Sequence, residues 1–283
     1  MSLITEITAA TDRYNLHSHT QFCDGHAPME TMARAASDCG MLHYGFSPHS
    51  PICVESGANM SHENVNAYLD EVNRLKSLPV ELPQLYAAME IDFISVDFGP
   101  HIDMFQRMPL DYRIGSVHFV PNQDGISVDC DGSADRFLRY LKDAFGGDLR
   151  YVVEKYFEQV LTMLERGGFD MLGHFDKIAQ NASVADPEIE NQPWYEALID
   201  DVASHAKTAG VVVEINTKYI NDKGRFFPHD RWWQKLKDAE MPIAVNSDAH
   251  WPEKVDEGRR QAFEKLRQTG LHHNAADVNG QSH

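Results

Sequence analysis

Cysteine is scarce in this chain, and so is positive charge. Its four Cys (Cys23, Cys39, Cys53, Cys130) are spread over 283 residues and form no C-x-x-C pair. That excludes a disulfide framework and points to a reducing compartment. Lys and Arg total 25 against 43 Asp and Glu, a formal net charge of −18. Such a balance argues against a nucleic-acid backbone as main partner, because proteins that bind one carry basic patches. It leaves room for a cationic small molecule, or for an anion met by metal charge locally. No run approaches the roughly 18 apolar residues of a transmembrane helix. The start, Met1-Ser2-Leu3-Ile4-Thr5-Glu6, lacks the basic end and apolar core of a signal peptide. A cytoplasmic protein without membrane contact is expected. There is no repeat, no Gly/Ser/Pro-rich linker, no G-x-S-x-G and no P-loop. What the chain has in quantity is histidine, 15 residues of it.

Short apolar runs alternate with helix-like stretches. The strand candidates are Tyr14-Asn15-Leu16, His43 to Phe46, Leu85 to Met89, Tyr112 to Val117, Phe169 to Gly173, Val211-Val212-Val213 and Pro242 to Val245. Between them, apolar residues such as Val65, Leu69, Val72 and Leu75 recur at helical spacing. The spacing predicts helices over 29–39, 64–76, 151–166, 194–208, 232–239 and 257–267. The stretch 125–147 reads as polar and irregular around a helical piece, 134–144, and as an insertion over the site. The tail from His272 to His283 reads as polar and frayed. Alternation of strands and helices predicts a parallel sheet, and continuous apolar strands predict burial on both faces. An α/β barrel of about 250 residues runs as one domain, so one domain with a core of about 14–270 is expected.

In such sheets the ligand site lies at the carboxyl ends of the strands. The first strand runs into His17-Ser18-His19 and the last into Asn246-Ser247-Asp248-Ala249-His250. Side chains two apart on extended backbone point the same way, so each pair is half a metal site. Other strands end at His49 (held between two prolines), Glu90, His118 and His174. A carboxylate such as Glu90 has two oxygens and can bridge two metals; Asp92 is the alternative there. Past His19, the loop holds Asp24-Gly25-His26, in which Asp24 is within reach of a metal, and His26 is a ligand, a substrate contact or a solvated residue. Lys177, Lys218 and Arg225 follow later strands and could hold phosphate.

His17-Ser18-His19, Gly115-Ser116-Val117-His118, Leu172-Gly173-His174-Phe175-Asp176 and Ser247-Asp248-Ala249-His250, in that order, resemble the motifs of the PHP (polymerase and histidinol phosphatase) family. The run Glu214-Ile215-Asn216-Thr217 is similar to a stretch of its histidinol-phosphatase branch, and Asn216 joins the substrate-contact candidates His26, Lys177, Lys218 and Arg225. The resemblance implies a distorted seven-stranded (β/α) TIM-like barrel with three divalent metals, Zn, Mn or Fe, at its carboxyl end. It would put His17, His19, Glu90 and Asp248 on the first metal. Glu90 would bridge to a second, held also by His118 and His174. His49, His250 and Asp24 would hold the third; His26 sits one place off the family's spacing.

The leading expectation is a phosphomonoesterase. Clustered cations bind phosphate oxygens and lower the pKa of a water, and the hydroxide attacks phosphorus in line. Glu90, Asp248 and His250 are the expected catalytic centre, and Asp248 and His250 are candidates to protonate the leaving group. The substrate that the resemblance implies is L-histidinol phosphate of histidine biosynthesis, whose amine Asp176 or Glu214 could pair. Another small phosphoester or a nucleotide is the alternative. The lack of a basic stripe counts against an exonuclease. An amidohydrolase cleaving C–N bonds would also open with H-x-H, but its later ligands are usually His, His and a lone Asp, unlike Glu90 and the D-x-H here. A non-catalytic relic should have lost ligands, and none is lost. Oligomeric state is not legible.

Overall fold

Strands β1 (Tyr14–Asn15), β2 (His43–Phe46), β3 (Gln84–Asp92), β4 (Tyr112–Ser116), β5 (Phe119–Pro121), β6 (Ser127–Asp129), β7 (Met171–Leu172), β8 (Val212–Asn216) and β9 (Ile243–Asn246) are laid out in a computed structural model that describes residues 2–270. Seven of them pair, all in parallel, in the order β1-β2-β3-β4-β7-β8-β9. The two edges meet just beyond the strands. Ser18 bridges Ala249 in parallel, His19 N donates to Ala249 O at 2.9 Å, and Leu16 N donates to Asn246 Oδ1 at 2.8 Å. The sheet therefore nearly closes into a barrel, as the alternation of strands and helices predicts.

Helices between the strands cover the outside, including Met29–Asp38, Asn64–Lys76, Leu149–Arg166, Pro193–Ala209 and Arg259–Thr269. Each turns an apolar stripe inward; in Asn64–Lys76 the buried residues are Val65, Tyr68, Val72 and Leu75. Inside the barrel, Tyr112 Oη donates to Leu16 O at 2.5 Å. A Cβ at Gly45 would collide with that hydroxyl, so glycine here makes room for the tyrosine.

Four expectations need correction. The segment after β4 is not irregular: β5 and β6 form an antiparallel hairpin, whose turn is closed by Asn122 Oδ1 accepting from Asp124 N and Ile126 N. A helix at Leu3–Ala10 was not foreseen; Ser2 caps it, and Ile4 and Ile7 enter the core. Short helices at Asp103–Gln106, Ala179–Ala185 and Ile220–Lys223 escaped periodicity because each spans at most two turns. Strand β3 extends two residues past Glu90, to Asp92. The expected frayed tail lies outside the described residues. No helix among the described residues is long and apolar enough to cross a membrane.

Candidate metal centre

The carboxyl ends of the barrel strands deliver their polar side chains to one buried point. Glu90 stands at the centre, buried and between two groups of imidazoles. Its Oε2 lies 3.0 Å from His49 Nδ1, 3.3 Å from His17 Nε2 and 3.5 Å from His19 Nε2. Its Oε1 lies 2.9 Å from His174 Nε2 and 3.6 Å from His118 Nε2. Asp248 Oδ1 is 3.0 Å from His19 Nε2 and 3.9 Å from His17 Nε2. Asp24 Oδ1 faces His250 Nε2 at 3.4 Å, His19 Nδ1 at 3.6 Å and His49 Nε2 at 3.7 Å. All nine residues expected to hold metal are thus brought together. His26, the alternative to Asp24, is not: its ring stacks on Trp251 at the rim, centroids 3.8 Å apart.

The donor set fits cations. Among the described residues, buried His17 Nε2, His19 Nε2, Asp24 Oδ1, His49 Nδ1 and Glu90 Oε2 find no hydrogen-bond partner, although buried polar atoms are normally paired. These atoms face one another at the distances just given. Groups that satisfy a metal's spacing recur through the cluster: His17, His19 and Glu90; Glu90, His118 and His174; and His19, Asp24, His49 and His250.

Partners behind the cluster set its tautomers. His17 Nδ1 donates to Glu214 Oε1 at 2.7 Å, His118 Nδ1 to Asp92 Oδ1 at 2.6 Å, and His250 Nδ1 to Asp248 O at 2.9 Å. His17 and His118 thereby turn Nε2 toward the Glu90 oxygens, which is how imidazoles are oriented as ligands, while His250 Nε2 faces Asp24 and the Lys218 ammonium. Glu214 is itself fixed by Asn246 Nδ2 (3.0 Å), His174 N (3.0 Å) and Asn216 Nδ2 (3.2 Å). Asp248 sits in left-handed backbone, φ 51°, with Asn216 Nδ2 on its Oδ2 at 3.1 Å. A non-glycine residue held there is strained, and such strain concentrates at functional sites.

The titrations are pulled apart. Burial opposes the Glu90 carboxylate, but His17, His49 and His118 outweigh it and hold it well below the usual range. Burial lowers His118 too, yet Asp92 and Glu90 lift it to about 10. His19 is pushed well below its ordinary value by burial and by His250 and His49. The carboxylates demand positive charge while crowding denies it to some imidazoles.

The centre floors a cavity of about 550 Å³ lined by Asp24, His49, His118, His174, Asp248 and His250. Lys218 enters it, with Nζ 3.2 Å from His250 Nε2 and 3.4 Å from Asp248 Oδ1. Of the expected substrate contacts, His26 and Lys218 line this cavity; Lys177, Asn216 and Arg225 do not. Lys177 is buried, with its ammonium on Asp131 and over the Tyr219 ring at 5.1 Å. Arg225 is held by Glu190 at 2.6 Å and Asp176 at 3.0 Å. Asn216 serves the two carboxylates already named. Asp176 and Glu214, offered as partners for a substrate amine, are fully buried and engaged. Arg225 holds Asp176 and His17 holds Glu214, and neither carboxylate lines the cavity. Residues missed in the sequence are Asn59, which donates to Asp92 Oδ2 at 2.9 Å, and the wall residues Asp129, Asp131, Arg136 and Trp251. Only Trp251 carried a signal, as a large aromatic directly after the D-x-H pair.

A PHP domain model matches residues 15–218. A Clostridium acetobutylicum protein named probable histidinol-phosphatase is 24% identical over 197 residues, 68% of this chain and 69% of that one. The crystal structure of Listeria monocytogenes HisK, assigned as a histidinol phosphatase, superposes with a TM-score of 0.77 at 18% identity, covering 88% of this chain and 99% of that chain. Histidinol phosphate phosphatase HisK from Lactococcus lactis subsp. lactis, complexed with Zn, L-histidinol and phosphate, gives 0.68 at 17% identity, covering 93% and 95%. At such identity the two structures share a fold with this chain.

Proposed function

The chain belongs to the PHP domain family, and from that premise we propose that it is a metal-dependent phosphomonoesterase that converts L-histidinol phosphate and water to L-histidinol and phosphate. The observation that carries this reading is Glu90, whose two oxygens address two separate groups of imidazoles on the floor of a small cavity. His17, His19, Glu90 and Asp248 would hold one cation, and Glu90, His118 and His174 a second. Asp24, His49 and His250 would hold a third. Divalent Zn, Mn or Fe there would supply charge for phosphate oxygens and acidify water at neutral pH.

The chain's own groups do the rest. Lys218 reaches the cluster with its ammonium and is placed to pair with a phosphoryl oxygen. Burial works against its ammonium, but Asp248 outweighs it and keeps Lys218 protonated. Asp248 and His250 contribute through the ions they would hold. The segment around Asp129, Asp131 and Arg136 walls one side of the cavity. A cavity of about 550 Å³ suits a small phosphoester. Its wall carries Asp129, Asp131, Asp222 and Glu257 beside Arg136, Lys223 and Lys254, a poor match for a polyanion.

The test uses metal-loaded protein with histidinol phosphate, p-nitrophenyl phosphate, single-stranded DNA and an amide. We expect kcat/KM for histidinol phosphate to stand well above the rest, through binding energy remote from phosphorus. Equal rates on both phosphomonoesters would indicate a generic phosphatase. Amide cleavage without phosphoester cleavage would overturn the reading.

A further inference from the structure

We propose that Trp251 and His26 form a stacking platform at the cavity rim that selects phosphoesters whose alcohol half carries a flat aromatic or heteroaromatic ring. This rests on the phosphomonoesterase reading above and names what that site reads besides phosphate. Trp251 directly follows His250 and is 42% exposed, unusual for so large an apolar side chain. Its indole lies parallel to the His26 ring, with centroids 3.8 Å apart and 14° between planes. Among the described residues, no other ring or cation stacks on it. Both residues line the same cavity as His49, His174 and Asp248, so one small molecule can reach from the cluster to the platform.

The mount is rigid. His26 N donates to His250 O at 2.8 Å, which ties the two loops together beside the rings. Gly25 is pressed onto the Thr20 backbone, where any Cβ would collide, so the turn that aims His26 is closely packed. Pro252 opens a short 3-10 helix after Trp251, and Lys254 N donates to Trp251 O at 3.0 Å. An indole that is 42% exposed and stacks only on His26 among the described rings does not serve the core. Aromatic faces attract flat rings by offset stacking, and prior ordering lowers the entropic cost of binding.

The experiment compares histidinol phosphate with a ring-less amino-alcohol phosphate on wild type, Trp251→Ala, Trp251→Phe and His26→Ala, each with metal content measured. Trp251→Ala should lose roughly tenfold in kcat/KM on the ring substrate, mainly through KM, at least about fivefold more than on the ring-less one. Trp251→Phe should recover most of the difference, and His26→Ala should lie between. Equal losses on both substrates, or no loss, would overturn the platform. Titration with L-histidinol, followed by indole fluorescence, separates the two readings. Quenching that disappears in Trp251→Ala, in a protein that hydrolyses no phosphoester, would retain the platform and sink the phosphatase. Quenching identical in wild type and variant would sink the platform whatever the activity.

Discussion

Replacing Glu90 by Gln tests the centre at its most connected residue. The change keeps size and shape, removes one negative charge and turns one oxygen into an NH2. Both groups of imidazoles lose their anion, and whichever way the amide settles one of them also faces an NH2 in place of an oxygen: either His174 and His118, at 2.9 and 3.6 Å, or His49, His17 and His19, at 3.0, 3.3 and 3.5 Å. Two unit charges about 4 Å apart at an effective dielectric near 20 interact by about 4 kcal/mol. That corresponds to about three orders of magnitude in affinity. A bridging carboxylate acts on two cations, so both stoichiometry and turnover should respond. Elemental analysis of protein purified without chelator should give two to three metals per chain for wild type and fewer for Glu90→Gln. kcat should fall at least ~10²-fold, the scale of losing a main electrostatic stabiliser. Circular dichroism should show an unchanged fold. A Glu90→Gln enzyme with full metal content and near-normal turnover would refute the reasoning, because then the carboxylate belongs to no metal.

Chelation should lower the melting temperature of wild type more than that of Glu90→Gln, which holds fewer ions, since an ion bound only to the folded state stabilises it by mass action; scanning calorimetry with and without chelator checks this. Gly25→Ala should cut kcat/KM while far-UV circular dichroism stays native, because a Cβ there meets the Thr20 backbone and must shift the turn carrying Asp24 and His26. Asp131→Asn concerns pH. Burial would raise the Asp131 carboxyl, but Lys177, with His118 and Lys218, outweighs it and brings it down from 3.8 to about 2. A depressed carboxyl contributes stability above its unfolded pKa and loses it as pH falls, here between about 4 and 2, on the order of 2 kcal/mol. Urea midpoints of wild type and variant should therefore differ near neutrality and converge as pH drops through that window; a constant gap would refute the tie.

The barrel was legible because its signals are local. Seven apolar runs separated by helical periodicity predict seven parallel strands, and seven pair in sequence order once the β5–β6 hairpin is set aside. That hairpin lacked such a signal: the burial of its strands is partial, and Ser127–Asp129 is half-buried throughout, so no continuous apolar run marks it. The helix at Leu3–Ala10 carries a serine cap and Ile4 and Ile7 one turn apart, but its eight residues are too few for a helical period to stand out. For the centre, position after a strand was enough to collect His17, His19, His49, Glu90, His118, His174, Asp248 and His250. A strand end in a parallel sheet has one place to deliver its side chain.

Charge away from strand ends follows different rules. Lys177, Arg225 and Lys218 look alike in sequence, each a few residues past a strand and each a candidate for phosphate. A long side chain turns to the nearest carboxylate that burial has left unpaired, because an isolated buried charge costs several kcal/mol or about that much more than a paired one. For Lys177 that carboxylate is Asp131, delivered by the hairpin; for Arg225 it is Asp176 and Glu190. None of these pairings is local, since each spans 35 to 49 residues of chain. Lys218 differs because its carboxylate, Asp248, already faces the imidazoles of His17 and His19. Its ammonium is thereby drawn into the cavity rather than away from it. The same −18 net charge that argues against a polyanionic partner therefore supplies the carboxylates that hold Lys177 and Arg225 inside the protein, and leaves Lys218 beside the cluster to meet a phosphate.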